Sequence, residues 1–424
     1  MDAFIVRGGR RLSGRVSVGG AKNSALKLAA GALLATGSSA IRNVPRIADA
    51  EAMAAVLEHL GVTVGRQEDR YLLDVPADVG CEIPAPLTRR LRASIVVLGP
   101  LLARCRRARV ATPGGCNLGS RSIDMHLAGL ARLGARITYG AEYVEAVAER
   151  LVGADIELPY PSVGATENIL MAAVTARGVT RIVNAAREPE IADLAAFLRS
   201  MGADIEGEGS PRITVRGVGA LHPADHEVVG DRIEAGTYAV AAALTDGEVT
   251  VEGVVPAHLR LVLDKLRAVG AEVEEKQQGL VVRGSGRLRA TDVVTLPYPG
   301  FPTDLQPVFL ALLSQAAGTS MVTENLFDGR FSIVGELVRL GADVHLEGYH
   351  AIVRGPTRLS GAAVRAPDLR AGAALVLAGL VADGETVVSE PQHVDRGYAN
   401  FAGRLRALGA DVRRVSLDAE AGAA

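Results

Sequence analysis

A thiol set in a glycine-rich loop is the most reactive feature of the chain. The stretch Thr112-Pro-Gly-Gly-Cys-Asn-Leu-Gly-Ser-Arg-Ser-Ile-Asp-Met-His126 places Cys116 among Gly114, Gly115 and Gly119, with Arg121, Asp124 and His126 close behind. Glycines keep side chains out of the way and let backbone amides approach a ligand. An arginine adds a planar donor fork for phosphate or carboxylate, and its charge favours a thiolate. The stretch reads as a thiol beside an anion site. Its plain alternative is a surface turn around a buried, inert cysteine. A cysteine hydrolase would need a base on Cys116, and His126 is the candidate.

Composition narrows what such a site can serve. The 424 residues exceed one ordinary core, which implies two or three domains. Net charge is −2, so no overall field draws in nucleic acid or an acidic membrane, and anion binding must come from local arginines. Aromatics are 4% with no Trp, which leaves little for base stacking. Cys81, Cys105 and Cys116 are widely spaced without a Cys-x-x-Cys, and the eight histidines form no ligand-spaced pair. Neither a disulfide framework nor a metal site is expected. Met1-Asp-Ala-Phe-Ile-Val lacks the marks of a signal peptide, and the longest apolar runs are shorter than a membrane span needs. A cytoplasmic protein is expected, without nucleic-acid or membrane partners, as a monomer or weak homo-oligomer.

The elements that must position the site repeat six times. Leu60-Gly-Val-Thr-Val, Leu133-Gly-Ala-Arg-Ile, Met201-Gly-Ala-Asp-Ile, Val269-Gly-Ala-Glu-Val, Leu340-Gly-Ala-Asp-Val and Leu408-Gly-Ala-Asp-Val each follow an amphipathic stretch, 68 to 73 residues apart. Each predicts a helix stopped by a left-handed glycine before a strand. Each repeat also holds a second helix, apolar nearly all round and so destined for a core. These helices are expected over 24–35, 93–103, 168–176, 235–243, 306–316 and 371–381. Three repeats could wrap their buried helices together, and six make two such domains.

The residues opening the buried helices are polar: Lys22-Asn23, Arg92, Thr166-Glu167, Arg232 and Glu234, Asp304 and Arg370. Helix N-termini carry unpaired N–H groups and partial positive charge, so clustered starts would form an anion site. Cations at such starts are unfavourable to the helix dipole and need a reason. A polyanionic ligand supplies one. Pairing with Glu188, Glu190 or Asp368 is the alternative.

In this setting the motifs resemble those of the UDP-N-acetylglucosamine enolpyruvyl transferases. The resemblance runs from Phe4 to about Val415 and is carried by an ordered set. The set comprises Gly20-Ala-Lys-Asn23, Leu91-Arg-Ala-Ser-Ile95, Pro113-Gly-Gly-Cys116, Ser162-Val-Gly-Ala-Thr-Glu-Asn168, Ala186-Arg-Glu-Pro-Glu-Ile191, Asp231-Arg-Ile-Glu-Ala-Gly-Thr237, Phe301-Pro-Thr-Asp304, Asp368-Leu-Arg-Ala371 and Asp395-Arg-Gly-Tyr398. It implies an α/β fold of two inside-out α/β barrel domains, each of three βαββαβ repeats around buried helices. The domains would be residues 22–229 and residues 1–21 plus 230–424, with the active site in the interdomain cleft and the Cys116 loop as a lid.

The implied reaction transfers the enolpyruvyl group of phosphoenolpyruvate to the 3-hydroxyl of the acceptor sugar, with release of phosphate and no cofactor. It would begin the synthesis of peptidoglycan precursors. By resemblance, Lys22, Arg121 and Arg396 hold the phosphate of phosphoenolpyruvate and Arg370 its carboxylate. Cys116 is the general acid, open to a pyruvate adduct and to alkylation by fosfomycin, and Asp304 is the base toward the hydroxyl. Asn23, Arg92, Arg121, Ser122, Ile123, Asp124, Met125, Ser162, Val163, Gly164, Asp304, Leu326 and Phe327 match contacts to the sugar nucleotide.

The pattern is broken at informative places. Ser122 replaces a proline that packs on uracil, Asp328-Gly329-Arg330-Phe331 replaces Glu-Asn-Arg-Phe, Ser332-Ile333 replaces Met-His, and Tyr298 replaces a histidine. Most of these fall on the nucleotide-sugar side. The rival acceptor is another uridine nucleotide such as UMP. The Pro-Gly-Gly-Cys loop argues against an enolpyruvylshikimate phosphate synthase. The presence of Lys22, Cys116, Asp304 and Arg396 argues against a non-catalytic sugar-nucleotide sensor.

Overall fold

A computed structural model describes residues 2–111 and 123–416. They divide into two compact units, one of residues 20–111 with 123–229 and the other of residues 2–19 with 230–416.

Each unit holds three four-stranded sheets, and none of the six closes on itself among the described residues. All share one plan. A short strand runs parallel to a second, which pairs antiparallel with a third, which pairs antiparallel with a fourth. In the first unit one sheet runs Asp155–Glu157, Val179–Val183, Arg212–Arg216, Asp204–Glu206. The strand Glu248–Glu252 of the second unit shows why these segments are strands. Val249 and Val251 are buried while Glu248 is exposed, so alternation sends the two valines to one face.

The six outer helices end as the repeat predicts. Gly61, Gly134, Gly202, Gly270, Gly341 and Gly409 all have φ between 94° and 103°, a left-handed conformation that costs other residues a clash at Cβ.

The apolar helices are buried; Gln306–Leu313 begins where expected, whereas others begin earlier than their apolar runs. Arg232–Leu244 is buried at all thirteen positions and begins three residues earlier than its apolar run. Asp231 extends it, accepting from the N–H groups of Ile233 and Glu234 at 2.8 and 3.0 Å. Asp368 does the same for Leu369–Gly379, accepting from Arg370 and Ala371 at 2.8 and 3.1 Å. These two helix starts therefore have N–H groups satisfied by their own carboxylates, and those N–H groups are not left for a ligand. The helix expected over 93–103 is a 3-10 turn, Arg92–Val97, followed by Leu98–Cys105. Gly99 sits there against the carbonyl of Asn168, where a Cβ would lie 2.3 Å from the oxygen. Within each unit the buried helices pack on one another and on the inward faces of their sheets.

Three sheets are completed from far along the chain. Asp225–Glu227 joins Gly37–Arg42, Ser13–Ser17 joins Glu248–Glu252, and Asp2–Arg7 lies between Glu385–Ser389 and Asp411–Ser416.

Candidate active site

Cys116, Arg121 and Ser122 lie outside the described residues. The other expected site residues fall into one group in each unit.

In the unit of residues 20–229, Lys22 and Asn23 open the helix Lys22–Gly31, which has neither a side-chain cap nor an acid in its first turn. Lys22 is buried and pairs with Asp49 at 2.8 Å, a partner not among the acids expected from sequence. Five residues on from Lys22, Lys27 Nζ donates to the Asn23 carbonyl at 2.7 Å and lies 3.4 Å from Glu167 Oε1. Glu167 belongs to Val163–Ala173, the helix that also carries Val163 and Gly164, so the buried pair ties these two starts together. Burial pushes the Glu167 carboxyl up to about 7, against the opposing charge of Lys27.

His126 draws in the rest of this group. It sits in the first turn of Asp124–Arg132, after Ile123 at the N-cap and beside Asp124 and Met125. Asn168 Nδ2 donates to its Nδ1 at 2.8 Å, which leaves the ring proton on Nε2. Burial first, then the nearby Arg92, pulls its pKa down to about 4, with Asp124 opposing. A neutral, buried imidazole hydrogen-bonded in this way is a packing element, which argues against a base on Cys116. The ring lies against Gly164, where a Cβ would be 2.8 Å from Cε1. Ser162 caps its helix by accepting from Ala165 N. Beside these residues an open groove of about 500 Å³ is lined by Asp124, Met125, Arg132, Glu157, Leu158 and Pro159.

The other unit assembles Asp304, Arg370, Arg396 and the Leu326-Phe327 pair. Asp304 stands in the 3-10 turn Thr303–Leu305, ahead of the buried helix Gln306–Leu313. Arg330 Nη2 donates to its Oδ1 at 2.7 Å and Arg370 Nη2 to its Oδ2 at 3.2 Å. Both guanidiniums are almost fully buried, while the carboxylate keeps 24% exposure. Arg370 lies 5.3 Å from the Tyr398 ring centroid, and a Cβ on Gly397 would be 3.6 Å from its Nη1. The end of Pro391–Arg396 is thereby set beside Arg370. Among the described residues, Arg370 Nε and Nη1 are buried without a hydrogen-bond acceptor. That is the state expected of a guanidinium whose partner is a ligand. Leu326 and Phe327 form a turn whose N–H groups are held by Glu324 Oε1, at 2.8 and 3.2 Å.

Several of these partners were missed from sequence. Arg330 was visible only as part of a broken motif and Thr303 only as the neighbour of Asp304, and nothing local marks Asp49 as the partner of Lys22 or Glu324 as that of Thr303. Tyr298, the histidine replacement, has Arg232 over its ring at 5.5 Å. Among the described residues no group of three His, Cys, Asp or Glu side chains is gathered as for a metal ion, and no helix is long and apolar enough to cross a membrane.

A family model described as EPSP synthase (3-phosphoshikimate 1-carboxyvinyltransferase) matches residues 6–405. A Mycobacterium tuberculosis protein named UDP-N-acetylglucosamine 1-carboxyvinyltransferase is 55% identical over 98% of this chain and 99% of its own. The chain belongs to the enolpyruvyl (1-carboxyvinyl) transferase family. A Carboxydothermus hydrogenoformans relative, UDP-N-acetylglucosamine 1-carboxyvinyltransferase 2, is 51% identical over 98% of this chain and all of its own. Among solved structures, the enolpyruvyl transferase NikO from Streptomyces tendae superposes with a TM-score of 0.88 at 27% identity, over 98% of this chain and 99% of that one. The EPSP synthase from Acinetobacter baumannii has a TM-score of 0.77 at 20% identity over 98% and 100%, a likeness of fold alone. For an enolpyruvyl transferase the two groups make chemical sense. Buried cations suit phosphate and carboxylate groups, and the partly exposed Asp304 carboxylate stands among them.

Proposed function

We propose that this protein transfers the enolpyruvyl group of phosphoenolpyruvate to the 3-hydroxyl of UDP-N-acetylglucosamine and releases phosphate. The observation that carries the acceptor is 55% identity, over nearly the whole of both chains, with a protein of that name, against 27% with NikO. In this reading residues 22–229 and residues 1–21 with 230–424 are two domains, each supplying contacts to substrate. The reaction is the cytoplasmic start of peptidoglycan precursor synthesis.

The chemistry is addition followed by elimination. The sugar oxygen bonds to C2 of phosphoenolpyruvate while C3 gains a proton and the hydroxyl loses one. The bond from C2 to the phosphate oxygen then breaks, C3 gives up a proton, and the double bond returns. Cys116 delivers the proton to C3, and Asp304 takes the one from the hydroxyl. Lys22, Arg121 and Arg396 neutralise the phosphate as it leaves, and Arg370 holds the carboxylate. Asp304 suits its role because Arg330 and Arg370 fix both oxygens yet leave it partly exposed. Asn23, Arg92, Ser162 to Gly164 and Leu326-Phe327 hold the sugar nucleotide, with residues 121–125 toward the uridine.

Phosphate release from phosphoenolpyruvate, measured over a panel of acceptors, tests the reading. Release is expected only with acceptor present and fastest with UDP-N-acetylglucosamine. Turnover with UMP and none with the sugar nucleotide would overturn it.

A further inference from the structure

Glu324 is only 1% exposed, and its two oxygens do different work. Oε1 accepts from the N–H groups of Leu326 and Phe327, two and three residues ahead, as acids at turns often do. Oε2 reaches back 21 residues to accept from Thr303 Oγ1 at 2.9 Å. Thr303 Oγ1 accepts in turn from Arg330 Nε at 3.1 Å, and Arg330 Nη2 donates to Asp304 Oδ1 at 2.7 Å. The chain of bonds therefore runs from the Leu326-Phe327 turn, through one carboxylate, to the Asp304 carboxylate.

Its polarity has one solution. An arginine Nε can only donate, so Thr303 must offer it a lone pair and send its own hydroxyl proton elsewhere. An ionised Glu324 can only accept, and it stands where that proton goes. With Thr303 oriented in this way, Nε anchors Arg330 and the Nη2 edge is left for Asp304. A turn that needed only a local cap would leave the second oxygen to water. Here it is buried against a residue that precedes the proposed base by one position.

We infer that Glu324 is a positioning residue, coupling the acceptor-binding Leu326-Phe327 turn to the orientation of Asp304 through Thr303 and Arg330. This rests on Asp304 as base and on Leu326-Phe327 as acceptor contacts. The nearly isosteric Glu324→Gln separates the two functions. Its carbonyl oxygen still accepts from the turn, but its amide nitrogen donates to Thr303, reversing that bond so that two donors crowd the Thr303 oxygen and its hydroxyl proton loses its acceptor.

Steady-state kinetics of wild type, Glu324→Gln, Thr303→Val and the double variant decide the matter. Turnover of the wild type with UDP-N-acetylglucosamine tests the reaction itself, and only the ratios among variants test the coupling. Glu324→Gln is expected to lower kcat on the order of 10- to 100-fold, with both KM values within about threefold of wild type. Thr303→Val should match it, and the double variant should be no slower than Thr303→Val alone. A wild-type kcat in Glu324→Gln, or effects that multiply in the double variant, would overturn the coupling. So would a lowered melting temperature with unchanged kinetic constants per folded molecule.

Discussion

Arg330 holds Asp304 at 2.7 Å from Nη2 to Oδ1, and the arginine is buried to 1% exposure while the carboxylate still meets solvent. The cation is therefore committed to the protein interior and the anion to the edge of it. Removing the anion leaves two buried guanidiniums, those of Arg330 and Arg370, facing an uncompensated gap.

Asp304→Asn keeps the shape and removes the charge. It is expected to lower kcat by about 10² to 10⁴ if the carboxylate is the base, and stability by about 1–3 kcal/mol, discounted for its partial exposure. Stopped-assay kinetics and urea denaturation measure the two separately. Near wild-type turnover would remove Asp304 from the chemistry.

His126 predicts a pH dependence with a definite sign. Its pKa is about 4 in the fold against 6.5 when unperturbed, so the unfolded chain binds the proton more readily between those values. Its contribution to stability is complete above pH 6.5 and is lost as pH falls to 4, at roughly 1.4 kcal/mol for each pH unit. The difference in unfolding free energy between wild type and His126→Gln should shift toward the variant across this window. A parallel pair of curves would contradict the buried, neutral imidazole.

Glu234 acts with the opposite sign. Burial raises its carboxyl to about 7, with Arg404 opposing and Asp231 reinforcing, so the folded protein binds the proton more tightly than the unfolded chain. Stability from this group is present below pH 4.5 and declines as pH rises to 7. Whatever its stability at pH 5, Glu234→Gln should gain on wild type as pH rises from 4.5 to 7, because its amide cannot ionise. Thermal melts at half-unit pH intervals would show the trend or its absence.

Gly164→Ala places a methyl group 2.8 Å from His126 Cε1 and 3.0 Å from Nε2, so the imidazole must move. The expected result is a rise of about tenfold in the acceptor KM, with the KM for phosphoenolpyruvate changed less than twofold. Equal rises in both would mean that the helix start serves phosphoenolpyruvate instead.

Cys116→Ala should abolish turnover and protect against fosfomycin, which would add to the thiol of the native protein. Mass spectrometry after incubation reads the adduct directly. Full activity in the variant would end the acid role of Cys116.

Much of the fold could be read locally. The six helix stops needed only a leucine, methionine or valine, a glycine and the turn to a strand, because φ near 100° is a property of one residue. The buried helices were evident from apolar residues on every side, and two of their starts were misplaced because Asp231 and Asp368 extend those helices beyond the apolar run. Asp304 and Arg370 were recognised from motifs, whereas Lys22 was assigned without its partner Asp49. Pairing of that kind depends on which helices pack together, and no local pattern records it.

By itself the sequence determined the repeat, the class of fold and the residue types that chemistry on two anions requires, since each is encoded within a few positions. Only the tertiary structure decided that Asp2–Arg7 and Ser13–Ser17 complete sheets whose other strands come from the second half of the chain. It alone brought Glu324, Thr303 and Arg330 into line with Asp304. The reason is physical. A strand edge or a buried charge can be satisfied by many distant partners, and the choice is made by burial of the whole unit at once.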